Sequence, residues 1–157
     1  MSSPTDTVTT TVDRDTASAT TVVDAPPGEV FDYLRRPANH AEISGDGSVR
    51  GTTTGPVVLG AGDRFGMRMR IGTSYRVTSQ VVEYDEGRRI GWCHFFGHRW
   101  RWELEPLGDT RTKVTETFDL STSKAPWVLR LVGLPRRHER NVAKSVGRVA
   151  ARFASSP

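Results

Sequence analysis

The chain has 157 residues, 36% of them hydrophobic and 25% charged, with a formal net charge of +4. That length is most simply one domain burying roughly 70% of its unfolded surface. The lone Cys93 excludes an internal disulfide, and Arg130 cuts Val128–Leu134 far short of the ~18 apolar residues a spanning helix needs.

Residues 1–20 are mostly Thr, Ser, Asp and Ala, without the apolar core of a secretory signal, so a cytoplasmic address is expected. The charge is uneven. Asp6, Asp13, Asp15, Asp24 and Glu29 meet only Arg14 in the first 30 residues, whereas eight Lys/Arg from Lys124 onward meet only Glu139. An anionic partner would therefore meet the C-terminal segment.

In chain order, residues 1–15 lack core-forming side chains and read as a disordered tail, leaving 16–154 as a single domain. From Thr16 the run TASATTVVDAP is a β-strand ended by Pro26-Pro27. PPGEVFDYLRRP then places Val30, Phe31 and Leu34 at helical spacing, with Pro37 as the stop. ANHAEISGDG has room for one more short helix before the Gly45-Asp46-Gly47 turn.

The period then changes to two. Phe65, Met67, Met69 and Ile71 share a face, and after Gly72 so do Tyr75, Val77, Ser79 and Val81. Ile90, Trp92, His94 and Phe96 form the next set, then Trp100, Trp102 and Leu104, then Val114, Glu116, Phe118 and Leu120. Hairpin-length connections make these strands an antiparallel meander with one charged face and one aromatic face that needs a cover.

The C-terminal segment supplies the cover. Ser123 is the expected N-cap of a short helix carrying Trp127, Leu131 and Val132, which Gly133-Leu134-Pro135 stops or kinks. Beyond it, Val142, Val146, Val149 and Phe153 lie within about 40° on a helical wheel. Arg136, Arg137, Arg140, Lys144, Arg148 and Arg152 occupy the other side. The fold expected is α+β: a strand, two short helices, about six strands, and a long C-terminal helix gripped by a curved antiparallel sheet.

This order resembles the START-like (SRPBCC) superfamily, and in particular bacterial polyketide cyclase/dehydrase-type and lipid-transport-like domains. The matching residues are VVDAPPGEVFDYLRRPANHAEISGDGSV after the first strand, the late hairpin WELEPLGDTRTKVTETFDL, and NVAKSV in the last helix. They extend over about Thr16 to Phe153. The resemblance implies a helix-grip fold with a cavity between sheet and C-terminal helix. Such cavities serve hydrophobic ligands, polyketide cyclisation or dehydration, or protein binding, and fold alone does not choose among them. No catalytic residue of the family can be matched position by position, so none is transferred.

On the inward face, Phe65, Met67, Met69, Tyr75, Trp92, Phe96, Trp100, Trp102, Phe118 and Trp127 make a bulky aromatic and thioether set. These side chains either line a ligand cavity or fill the core themselves. Without Phe96, and with His94, Glu116, Val142 on the helix and His138 at the edge of its apolar stripe, they make up the candidate ligand-binding set.

Strict alternation places Glu116 between Val114 and Phe118, where burial would raise its pKa and suit it to proton transfer. His94 on the same nominal face is its candidate partner; a strand edge or a structural hydrogen bond is the competing account of Glu116. His40 and Glu42 read as surface residues near the entrance. His94 and His98 are spaced i, i+4 but in a hairpin, and Cys93 points away from His94, so no metal site is expected. GAGDRFG at 60–66 misses the phosphate-loop spacing by one and leads into a strand. No cofactor is implied.

Three functions remain, in order. The first is binding of a small hydrophobic or aromatic molecule; the second is a polyketide cyclase/dehydratase with Glu116 and His94 as acid/base residues. The third is an interaction module on the arginine face. No aromatics interleave with those arginines, which disfavours nucleic acid; contact with an anionic membrane surface stays open, as do monomer and homodimer.

Overall fold

The computed structural model describes residues 7–154. It contains β1 (Thr9–Val12), β2 (Thr16–Val23), α1 (Pro27–Leu34), a 3-10 turn (Pro37–Asn39), α2 (His40–Ile43) and β3 (Val49–Thr54). The meander follows with β4 (Arg64–Ile71), β5 (Thr73–Asp85), β6 (Arg89–Cys93), β7 (Arg99–Leu107) and β8 (Arg111–Asp119), then α3 (Pro126–Leu131) and α4 (Leu134–Arg152). All strands join one antiparallel sheet in the order β1-β2-β8-β7-β6-β5-β4-β3. The α+β helix-grip architecture expected from the sequence is the one observed.

The first strand joins beside the last because β2 pairs with β8 from Thr16↔Asp119 to Val23↔Thr112. Alternation in β2 is strict, with Ala17, Ala19, Thr21 and Val23 turned inward and buried. Small residues at 17 and 19 leave room for α4, which packs on β1, β2 and β8 rather than across the whole sheet. Val142, Val146 and Val149 of α4 are fully buried, and the Phe153 ring meets Tyr33 edge-on at 5.5 Å. The apolar stripe read from the sequence is the contact that seats the helix. Because α4 covers only the β1-β2-β8 side, the inward faces of β4 to β7 are left partly uncovered. α1 closes the opposite end with Val30, Phe31 and Leu34.

The structure departs from expectation in three places. Thr9–Val12, assigned to a tail, form an edge strand on β2, its hydroxyl-bearing residues held by main-chain pairing rather than by core burial; Thr10 also donates to Glu139 on α4 at 2.9 Å. Residues 1–6 of that tail lie outside the described residues. Ser123 is not a helix N-cap: its hydroxyl donates to Phe96 O (3.0 Å) and accepts from Ala125 N–H (3.3 Å), while α3 has no side-chain cap. Finally, β6 stops at Cys93, so His94–His98 form a turn and Phe96 points outward, 45% exposed.

A register shift between Val81 and Glu83 on β5 also matters. Alternation alone would aim both side chains inward. The extra residue re-aims Glu83 to the convex face, where it meets Arg101. No helix among the described residues is long and apolar enough to cross a membrane.

Candidate functional site

The uncovered part of the sheet encloses a cavity of about 270 Å³, roofed by α4 and bounded by the Ser44–Ser48 loop. The strand register builds its wall. Phe65 pairs with Ser79, Met67 with Val77, and Met69 with Tyr75 across β4–β5; Trp92 pairs with Trp100 across β6–β7, and Trp102 with Glu116 across β7–β8. Each of these pairs turns inward, and all ten residues line the cavity together with His94 and His138. The loop seats on α4 through Gly45, which lies so close to the Asn141 backbone that any Cβ would collide with it.

Three residues assigned to the site from sequence do not line the cavity. Trp127 stands 64% exposed on α3, because Gly133 takes a left-handed conformation (φ 71°) between α3 and α4 and the short helix leaves the roof. Phe118 is fully buried behind Trp100 and His138, with ring centroids at 4.8 and 4.3 Å, and supports the wall from outside. Val142 is consumed by contact between α4 and the sheet.

Others enter the site that the sequence reading left out. His40, read as a surface residue, is buried: its ring stacks on Trp92 at 4.6 Å, and Nε2 lies 2.8 Å from Leu34 O. Burial pushes its pKa down to about 4. His98, in the turn after β6, folds back beside His94 with ring centroids 4.8 Å apart. Turn geometry, invisible to an alternation argument, brings these two together. Ser79, Asn141 and Ser145 also face the cavity. Ser79 follows from period two, whereas Asn141 and Ser145 lie on the helix flank beside the apolar stripe.

Glu116 is the most distinctive group. Its carboxyl is buried between Ala19 and Trp102 in the sheet register, with Ser145 of α4 beside it, and Oε2 has no hydrogen-bond partner among the described residues. Burial raises its pKa well above the ordinary carboxylate value; the polar Ser145 hydroxyl opposes this and the negative charge of Asp46 adds to it. The histidines shift the other way. Burial lowers His94; His98 is lowered to about 4 by burial and then by His94 and His138; burial also lowers His138 despite the opposing Asp46 charge.

Near neutral pH these imidazoles are uncharged. The Nδ1 atoms of His94 and His98 are buried and, like Glu116 Oε2, have no partner among the described residues. Glu116 and His94 line one cavity, but the neighbour the structure gives His94 is His98 rather than Glu116. The cavity is thus apolar in its walls, with a few uncharged hydrogen-bonding groups able to orient a guest or exchange a proton with it. No group of three or more His, Cys, Asp or Glu among the described residues is arranged to hold a metal ion.

A solved Rhodobacter sphaeroides protein superposes with a TM-score of 0.65 at 13% identity, covering 93% of this chain and 97% of that one. The Zhui aromatase/cyclase from Streptomyces superposes at 0.60 with 16% identity, covering 89% and 96%. The di-domain aromatase/cyclase StfQ of the steffimycin biosynthetic pathway gives 0.59 with 15% identity, covering 90% of this chain and 51% of that one. At these identities the likeness is one of fold. In sequence, the chain is 42% identical over 104 residues to Rv0088, an uncharacterized Mycobacterium tuberculosis protein. That match spans 66% of this chain but only 46% of the relative, so the chain covers about half the relative's length. Residues 14–154 match the model of a family described as polyketide cyclase / dehydrase and lipid transport, and the chain belongs to that family.

Proposed function

We propose that the chain binds a small hydrophobic or aromatic molecule between the sheet and α4. The observation that carries this reading is the cavity itself: about 270 Å³ under an aromatic and thioether wall, with space its own tryptophans do not fill. Trp92, Trp100 and Trp102 present ring faces, and the methionines adapt to an irregular guest. Burial favours the neutral form of Glu116 and of the histidine pair, which suits them to an uncharged guest that brings no buried charge of its own.

Native mass spectrometry of the purified full chain tests this, alongside titration with a naphthol as an aromatic probe. A retained or titrated guest that weakens in Trp100→Ala supports binding. Undiminished binding in that variant and in Met67→Ala places the guest elsewhere and overturns the reading.

The buried, unpartnered Glu116 oxygen favours a second reading, a polyketide cyclase or dehydratase. A protonated Glu116 can donate to a carbonyl oxygen while a neutral His94 accepts a proton from an acidified carbon or hydroxyl. The wall holds the reacting chain folded and excludes water. Under this reading Glu116→Gln or His94→Ala abolishes turnover of a polyketone substrate with binding retained. Under simple binding, Glu116→Gln leaves ligand retention nearly unchanged.

A further inference from the structure

The antiparallel meander collects three connections at one end of the sheet: the β4–β5 turn at Gly72, the His94–His98 turn after β6, and the α3 segment after β8. The last two contact each other, since Lys124 N–H donates to Phe96 O at 2.9 Å and Thr122 Oγ1 to Gly97 O at 2.7 Å. This end frames the cavity, because Ile71, Tyr75, His94, His98 and Leu134 all line it.

The same end exposes apolar side chains that the fold does not use. α3 buries none of its residues. Its i, i+4 pairs Trp127–Leu131 and Val128–Val132 point outward, with Trp127 64% and Leu131 79% exposed. Phe95, 63% exposed, stands with Phe96 on the adjoining turn, and Ile71, 64% exposed, on the far side of the mouth. Scattered exposed apolar residues need no explanation, but a contiguous cluster marks an interaction surface.

Charge selects the partner. No Asp or Glu occurs from Leu120 to His138, while Lys124, Arg136 and Arg137 flank the apolar cluster and Arg70 directly precedes Ile71. The acidic groups nearby are engaged. Asp15 pairs with Arg130 at 2.5 Å, Asp119 with Arg101 and Ser121, and Asp46 with the Ser44 hydroxyl and the Ser48 N–H; exposed Asp13 is followed directly by Arg14.

We propose that this end of the molecule docks on an anionic phospholipid bilayer, with Trp127, Leu131 and Phe95 entering the interface and the cavity mouth facing the headgroups. Tryptophan and aliphatic side chains ringed by Lys and Arg match the chemistry of that interface, where apolar burial and attraction to anionic lipid act together. An apolar guest then passes between bilayer and cavity without crossing bulk water. The docking itself stands on the exposed side chains and holds for an empty cavity.

Flotation of the full chain with vesicles tests the proposal, comparing phosphatidylcholine alone with equimolar phosphatidylcholine and phosphatidylglycerol. The chain floats with the mixed vesicles and is released by high salt. A Trp127→Ser/Leu131→Ser variant, altered at two mainly exposed side chains, keeps the wild-type circular dichroism and melting curve and binds about tenfold more weakly or worse. Lys124→Glu with Arg136→Glu, an independent variant, lowers binding by a similar factor. Absence of flotation, equal flotation with neutral vesicles, or undiminished binding by both variants overturns it. So does a homodimer in solution that Trp127→Ser/Leu131→Ser splits while vesicles are ignored, which would make the patch a contact between copies. Saturable binding to an acidic protein without vesicle binding overturns it as well.

Discussion

β7 and β8 carry two opposite electrostatic environments on the two faces of the same strands. On the convex face Arg101 hydrogen-bonds both oxygens of Glu83 (3.0 and 2.9 Å) and reaches Asp119 at 3.3 Å, with Arg99 and Arg89 adding cations at 3.4 and 3.9 Å from Glu83. On the concave face of the same two strands, Trp102 and Glu116 pair in an apolar wall. Burial opposes ionisation of both glutamates. At Glu83 the Arg101 hydrogen bonds and charge outweigh burial and hold its pKa below the ordinary value; at Glu116 nothing cationic does, and the pKa rises. A carboxylate with a guanidinium partner is architecture, whereas one without is available for a guest.

The largest effect that sharpens this contrast is at the wall itself. Trp102→Ala, at a site 1% exposed, lowers unfolding stability by about 3–5 kcal/mol in urea titrations, while Trp127→Ala changes it by less than about 0.5 kcal/mol. Comparable losses at both would erase the distinction between wall and exposed helix. Next, Arg101→Met strips Glu83 of its two hydrogen bonds but leaves Arg99 beside it, and costs about 2 kcal/mol by the same measurement.

The pH dependence should carry opposite signs on the two faces. Glu116 has a raised folded-state pKa, so its contribution to stability is full below the unfolded value of about 4.3 and is lost as pH rises through the folded value. Glu116→Gln removes that fall, which reaches at most about 1.4 kcal/mol per pH unit. Glu83 has a lowered pKa, so its contribution is present at neutral pH and is lost as pH falls through the folded value. Glu83→Gln therefore loses stability at neutral pH and flattens the acid limb. Urea midpoints from about pH 2 to about pH 8 check both signs, and parallel profiles at the two positions would overturn the assignment. Smallest of all, Arg89→Ala removes a half-exposed ion pair to Glu103 (3.2 Å) and changes stability by less than about 0.5 kcal/mol.

Much of the inner face was legible from alternation. Phe65, Met67, Met69, Trp92, Trp100, Trp102 and Glu116 follow period two inside regular strands, where the pleat dictates direction. Legibility ended where the backbone left that regularity. His94 and His98 come together through a turn, and Glu83 faces outward because of a bulge. Trp127 leaves the roof at a left-handed glycine, and His40 is buried where Trp92 and Phe65, from distant strands, pack against its ring.

The sequence by itself determined the order of elements from β2 onward, the antiparallel meander, the apolar stripe that seats α4 and the face of β8 that carries Glu116. Each depends on side-chain periodicity within one element. Only the tertiary structure decided that α4 covers one side of the sheet, that a cavity remains under the other, and that α3 turns its apolar side chains to solvent. Those outcomes depend on how far one element reaches over another, which is set by the small side chains of β2 beneath α4 and by the backbone angles of Gly133.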